Sequence, residues 1–163
     1  MGGAVRAALV ALMLGACAPA TPPPITLADL DAVAFGRDVQ PYVAVACATL
    51  DCHGAAGRPL RLYSELGLRL SADLRKMPLT DAEIAANVDS VEAVDPGAGP
   101  DDNLFVRKPL AIAAGGLYHK GGLIWSARTD AGYLCLHGWL TGAEISAPCA
   151  DAYAPIALPP PSP

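Results

Sequence analysis

Apolar positions recur at helical spacing in three stretches of this chain and alternate cleanly in none. In "FGRDVQPYVAVACATLDCHG", Phe35, Val39, Tyr42, Val43 and Ala46 fall on one helical face. Asp38 can cap a helix there. Pro41 then sits in the first turn, where a missing N–H does least harm. The spacing predicts a short helix from near Asp38 into Cys47. In "LTDAEIAANVDSVEAV", Thr80 and Glu83 stand at capping-box spacing, and Ile84, Val88 and Val91 make an apolar stripe. Asp95-Pro96-Gly97 ends that helix. The third stretch, "TDAGYLCLHGWLTG", puts Tyr133, Leu136 and Leu140 on one face with Trp139 beside them, and Gly142 marks the stop.

The segments between them read as loops. The leucines at 60, 62, 66, 68 and 70 alternate only in part, and Gly67 interrupts them, which predicts extended pieces or a turn rather than a sheet. "DPGAGPDDNLFVRKPL" leads into a short apolar segment. In "AAGGLYHKGG" two glycine pairs flank His119, a composition that lets backbone approach another group closely. The expected fold class is all-α, a small domain of short helices and long loops with no internal repeat.

The ends carry different signals. Arg6 precedes an apolar run from Ala7 to Leu14, followed by small residues and Cys17. That order is the order of a secretory signal, and the run is shorter than the roughly 20 apolar residues of a membrane-spanning helix. "LGAC" resembles a bacterial lipobox, which implies cleavage before Cys17 and lipid on the cysteine. An ordinary signal peptide cut nearby is the alternative. Residues 1–16 are read as the signal, 17–27 as lipidated cysteine and proline-rich tether, 28–152 as one domain and 153–163 as a proline-rich tail. The expected location is the bacterial cell envelope, with the domain lipid-anchored and facing the periplasm or exterior. Formal charge is −5, and loss of Arg6 with the signal makes the mature chain more acidic. No basic cluster is present, which removes nucleic acid from the expected partners.

An oxidising compartment gives meaning to the four remaining cysteines. "CATLDCHG" has two cysteines followed at once by His53, the elements of a haem c attachment site. The usual motif is C-x-x-C-H. Here Ala48–Asp51 separate Cys47 from Cys52, and a regular helix would point the two thiols to different sides. The loop must bulge, with Asp51 outward. The same residues also allow a Cys47–Cys52 disulfide with no haem. Cys135 and Cys149, 14 residues apart, suit a disulfide pinning the C-terminal segment, a closure that contributes about 3 kcal/mol. His137 has no motif around it and reads as packing or surface. A zinc site from Cys47, Cys52 and histidines is a weaker reading, because thiols in this compartment prefer to pair. No serine–histidine–carboxylate pattern, phosphate loop or paired-carboxylate site occurs, and no enzymatic activity is expected.

"FGRDVQPYVAVACATLDCHG", "LTDAEIAANVDSV", "NLFVRKPL", "GGLYHKGG" and "YLCLHGWLTG" together resemble class I c-type cytochromes, in particular bacterial cytochrome c-like lipoproteins. The resemblance implies a small all-α domain whose first and last helices pack together. It implies one covalent haem c held through Cys47 and Cys52, with His53 on the iron, and electron transfer with a redox partner protein in the envelope. For the sixth ligand it offers His119, 66 residues beyond His53, or Met77, 24 beyond it in "KMPLTDAEI". The alternative is a haem-free, disulfide-stabilised lipoprotein acting as a binding or anchoring module. Replacing Cys17 with serine is expected to release the protein from the membrane fraction. A variant that stays bound with its signal processed normally would show that lipid is not the anchor.

Overall fold

The computed structural model describes residues 30–75 and 77–157. The signal, Cys17, the tether up to residue 29 and the tail from residue 158 lie outside the described residues. Asp31 opens the first helix, its carboxylate accepting from the amides of Val33 and Ala34 at 2.8 and 2.9 Å. α1 (Ala32–Ala34) continues through a π-helical turn, Phe35–Val39, into α2 (Gln40–Ala46). The helix thus starts before the expected Asp38, and Asp38 pairs with Arg37 instead of capping. Pro41 becomes an interior residue. It has no N–H to give, and its ring crowds the carbonyl four residues back. The wider π turn accommodates it, with the Gln40 N–H reaching the Phe35 carbonyl.

α3 (Asp81–Val94) has the predicted capping box: Thr80 Oγ1 accepts from the Glu83 amide at 3.3 Å, and the Glu83 carboxylate accepts from the Thr80 amide at 3.0 Å. Val88 and Val91 are buried, and Ile84 packs against the core. Glu83 does more than cap. It takes two bonds from the Arg69 guanidinium, at 2.8 and 2.9 Å, and one from the Leu70 amide. Arg69 also donates to the carbonyls of Leu74, Met77 and Pro78. The chain before α3 is therefore wrapped around one buried ion pair.

α4 (Leu104–Arg107) is a single turn capped by Asn103. α5 (Ala131–Thr141) ends where expected, at Gly142 with φ 71°. α6 (Ser146–Tyr153) follows, and a 3₁₀ turn carries the fold to Ile156, beyond the expected boundary at residue 152. Its sequence has too few periodic positions to announce a helix. What holds it is tertiary: Cys149 and Ala152 are buried, and the sulfurs of Cys135 and Cys149 stand at disulfide distance.

The core forms where α1–α2 cross α5. The Phe35 and Trp139 rings meet edge to face at 4.8 Å, and the Trp139 indole donates to the Asp31 carbonyl. Farther along, the Trp125 indole donates to the Tyr42 hydroxyl at 2.9 Å. A Cβ on Gly132 would lie 2.3 Å from both of those groups, so only glycine allows the approach. Both α5 and α6, the last helix in the chain, pack against this N-terminal segment. The fold is mostly helical, with two isolated bridges, Tyr63–Leu68 and Leu110–Trp125, among the described residues. No described helix is long and apolar enough to cross a membrane.

Hydrogen bonding from Arg69 holds the Glu83 carboxyl down to about 2 from an ordinary 4.5. A depressed carboxyl contributes stability that is full above pH 4.5 and is lost as pH falls from 4.5 towards 2. Glu83→Gln removes that dependence and leaves Arg69 buried without its counter-charge, an expected loss of about 3–5 kcal/mol. Urea unfolding of both proteins at pH 7 and pH 3 checks this: the gap between them should narrow at pH 3, and an equal gap would refute it.

Candidate functional site

α2 ends at Cys47, whose amide donates to the Val43 carbonyl at 2.9 Å. The next amide, Ala48, reaches the same carbonyl, and the chain leaves the helix there. The residues between the cysteines fold into a compact knot. The Cys52 and Gly54 amides both donate to the Thr49 carbonyl, and the His53 amide returns to the Cys47 carbonyl at 2.9 Å. That last bond brings His53 back over the helix end despite the long spacer. The Ala48 carbonyl points inward and accepts from Ser64 Oγ at 2.6 Å, where Ser64 is fully buried. Gly54 and Gly67 press on the same oxygen, and a Cβ on either would lie 2.1 or 2.2 Å from it. On the outside, Arg58 donates to the carbonyls of Asp51 and Cys52 at 2.7 and 2.9 Å. The Asp51 side chain is exposed.

Cys47 and Cys52 are both free thiols, each partly buried. Burial, with Cys52 nearby, pushes the Cys47 thiol up to about 12, so it stays protonated at neutral pH. His53 is half-buried, and burial holds its imidazole below the ordinary 6.5, with His119 and Arg58 adding to the effect against the opposing Leu60 bond. At neutral pH it is the uncharged form, the one that ligates metals. Its Nδ1 lies 3.0 Å from the Leu60 carbonyl.

His119 is carried by the glycine-flanked loop. Its Nδ1 lies 2.9 Å from the Gly122 carbonyl. A Cβ on Gly121 would come within 3.1 Å of the ring, so the second glycine pair sets how closely the backbone folds around it. The His53 and His119 rings are parallel within 4°, with centroids 6.0 Å apart. In both, Nδ1 is engaged by a carbonyl, and Nε2 is the nitrogen left for a ligand. The two imidazoles are stacked with one another.

Met77, the other sixth-ligand candidate, is 55% exposed, and its carbonyl accepts from Arg69. His137 lies on α5, stacked on Tyr133 with its Nε2 3.1 Å from Asp101. Among the described residues no three His, Cys, Asp or Glu side chains gather as a metal cluster, so the zinc arrangement is not assembled. Residues that sequence reasoning passed over complete the site: Arg58 and Ser64 around the cysteine loop, and the carbonyls of Leu60 and Gly122 behind the histidines. Only the glycines beside His119 gave a readable sign of it.

Comparison with family models, with curated proteins and with solved structures finds no match.

The rise of the Cys47 thiol from 9.0 to about 12 lowers its thiolate population at pH 8 by about a thousandfold. Iodoacetamide should therefore label Cys47 in the folded, haem-free protein far more slowly than after unfolding in urea. Equal rates, read by peptide mass spectrometry, would contradict the buried placement.

Proposed function

We propose that the chain is a membrane-anchored, c-type cytochrome-like protein that binds one covalent haem and transfers electrons in the cell envelope. The imidazole pair supports it most directly: parallel rings 6.0 Å apart, each braced through Nδ1. The cysteine knot places both thiols on the segment that ends in His53. The residues present fit a haem c. Cys47 and Cys52 would hold it through thioethers to its two vinyl groups. His53 and His119 would offer imidazole nitrogens to its iron. A haem held there would contribute reversible one-electron chemistry tuned by its ligands and surroundings.

The Leu60 and Gly122 carbonyls orient the two rings and raise their basicity as ligands. Ser64, Gly54 and Gly67 fix the knot from within. The two thiols are not joined to each other.

Expression of the full chain in cells competent for haem attachment should give a mass increase of one haem and a low-spin spectrum. His119→Ala is expected to abolish the low-spin bands and shift the potential, whereas Met77→Ala leaves both. A correctly processed protein with a Cys47–Cys52 disulfide and no haem would sink the electron-carrier reading.

A further inference from the structure

A groove of about 780 Å³ runs along α1–α2. One wall is that helical stretch from Ala32 to Val45, about 20 Å at 1.5 Å per residue. The other is the chain that leads into α3, with Leu66, Pro78 and Leu79, and Tyr153 of α6 also lines it. This second wall is held in place. The Leu79 amide donates to Glu65 at 3.1 Å, and Arg69 donates to the Pro78 carbonyl at 3.1 Å. Within the groove, Val33 is 76% exposed and Leu66 37%. Apolar side chains gathered and exposed in a pre-formed cleft are the usual lining of a binding site.

The chain itself supplies a segment of matching shape. α6 ends at Tyr153 on the groove, and the 3₁₀ turn after it, Ala154–Ile156, packs against α2. The chain leaves that turn at Ala157 with φ −56° and ψ 133°, a polyproline II backbone. Leu158, three prolines, Ser162 and Pro163 follow. Proline fixes its own φ in that region and keeps the residue before it out of the helical one. At 3.1 Å per residue, residues 158–163 reach about 19 Å, the length of the helical wall. With three residues per turn, Leu158 and Pro161 share one edge, and Pro160 and Pro163 share the next. Proline-rich segments dock by laying such apolar edges into clefts lined by aromatic and aliphatic side chains. At the rim, Arg37 gives Nε and Nη2 to Asp38, which leaves Nη1 to donate to a prolyl carbonyl.

We propose that this groove is a polyproline II-binding cleft whose ligand is the chain's own tail, residues 158–163, bound in cis. The tail covers Val33 and Leu66 and bridges α2 to the chain that leads into α3. It carries no charged side chain, and the ionisable residues of the groove, Arg37, Glu65 and Asp81, nearly balance. The other proline-rich stretch, Pro22–Pro24, fits the groove less well. It precedes α1, so lying along the same helix would require the chain to double back before Leu30, which packs against the core. Occupancy of the groove does not depend on haem.

Amide NMR of the haem-free full chain carrying Cys17→Ser provides the first test. Pro160→Gly with Pro161→Gly should move the signals of Val33, Gly36, Leu66 and Leu79 and leave the Trp125 indole signal in place. Ser162→Ala, on the third edge, should leave all of them unchanged. These substitutions lie beyond the last described helix, so the indole signal also reports that the domain is folded. Identical groove signals in the parent chain and the double variant would overturn the proposal.

A free peptide of residues 158–163, blocked at both ends, provides the second. A tail tethered beside its site stands at roughly millimolar effective concentration. The peptide should therefore shift the groove signals of the double variant at about one-tenth of the concentration that the parent chain needs. Val33→Glu, at an exposed position, should abolish that response. An equal response in both chains, or none in the double variant, would count against a bound tail. Groove signals that move on dilution, together with a dimer in sedimentation, would place a second copy's tail in the groove and refute binding in cis. Groove signals that respond to glycine at residues 22–24, and not to the tail substitutions, would assign the groove to the N-terminal tether and equally overturn the proposal.

Discussion

A buried hydrogen bond from the Trp125 indole to the Tyr42 hydroxyl, closed over Gly132, sets the geometry of the whole domain. Tyr42 lies on α2, the helix that delivers Cys47. Trp125 closes the loop that carries His119, and its carbonyl accepts from the Ala111 amide at 2.8 Å. One bond therefore ties together the two segments that meet at the histidines. Both residues are almost wholly buried, so either group left without its partner costs about 1–3 kcal/mol. Burial also pushes the Tyr42 hydroxyl up to about 12, which keeps the contact neutral throughout the physiological range. Gly132 is required for a steric reason: any side chain there would stand between the two rings' polar atoms.

A second layer of buried polar contacts fixes the middle of the chain. Asn87 on α3 accepts from the Tyr63 amide at 2.6 Å and donates to the Tyr63 carbonyl and to Gln40 on α2. Gln40 donates to the same carbonyl. The residue before Tyr63, Leu62, donates to the His53 carbonyl, and Leu60 braces the His53 ring. The orientation of His53 thus passes through main-chain bonds to an asparagine more than thirty residues away. Such a network tolerates few alternatives, because each unmet group inside the domain is expensive. The Arg69–Glu83 pair does the same for the following segment, anchoring three carbonyls to the start of α3.

This arrangement explains how a long spacer between cysteines is compatible with a single well-defined histidine. Cys47 and Cys52 are five positions apart with four residues between them, too many for a helical turn to align. The knot absorbs the excess by folding the spacer onto itself around the Ala48 carbonyl. Fold alone does not fix function. What carries the functional reading is the chemistry at this point: two thiols, a neutral imidazole and a second imidazole brought from far along the chain.

The sequence by itself determined the helical class, the capping box at Thr80 and Glu83, the stop at Gly142, and the identity of Cys47, Cys52, His53 and His119 as the residues with chemistry to offer. These are local properties: periodicity, cap chemistry and motif are written in neighbouring residues. The tertiary structure decided the rest. The early start of the first helix and its π turn follow from Pro41 being held in a helix that core packing extends on both sides. α6 exists because burial against α5 and the Cys135–Cys149 pairing stabilise a segment too short to persist alone. Between His119 and Met77 the sequence offered two candidates, and only the folding of the glycine-flanked loop beneath Trp125 brings one ring parallel to His53. Contacts between residues distant in sequence leave no periodic trace, so the pairing of the histidines became visible only in three dimensions.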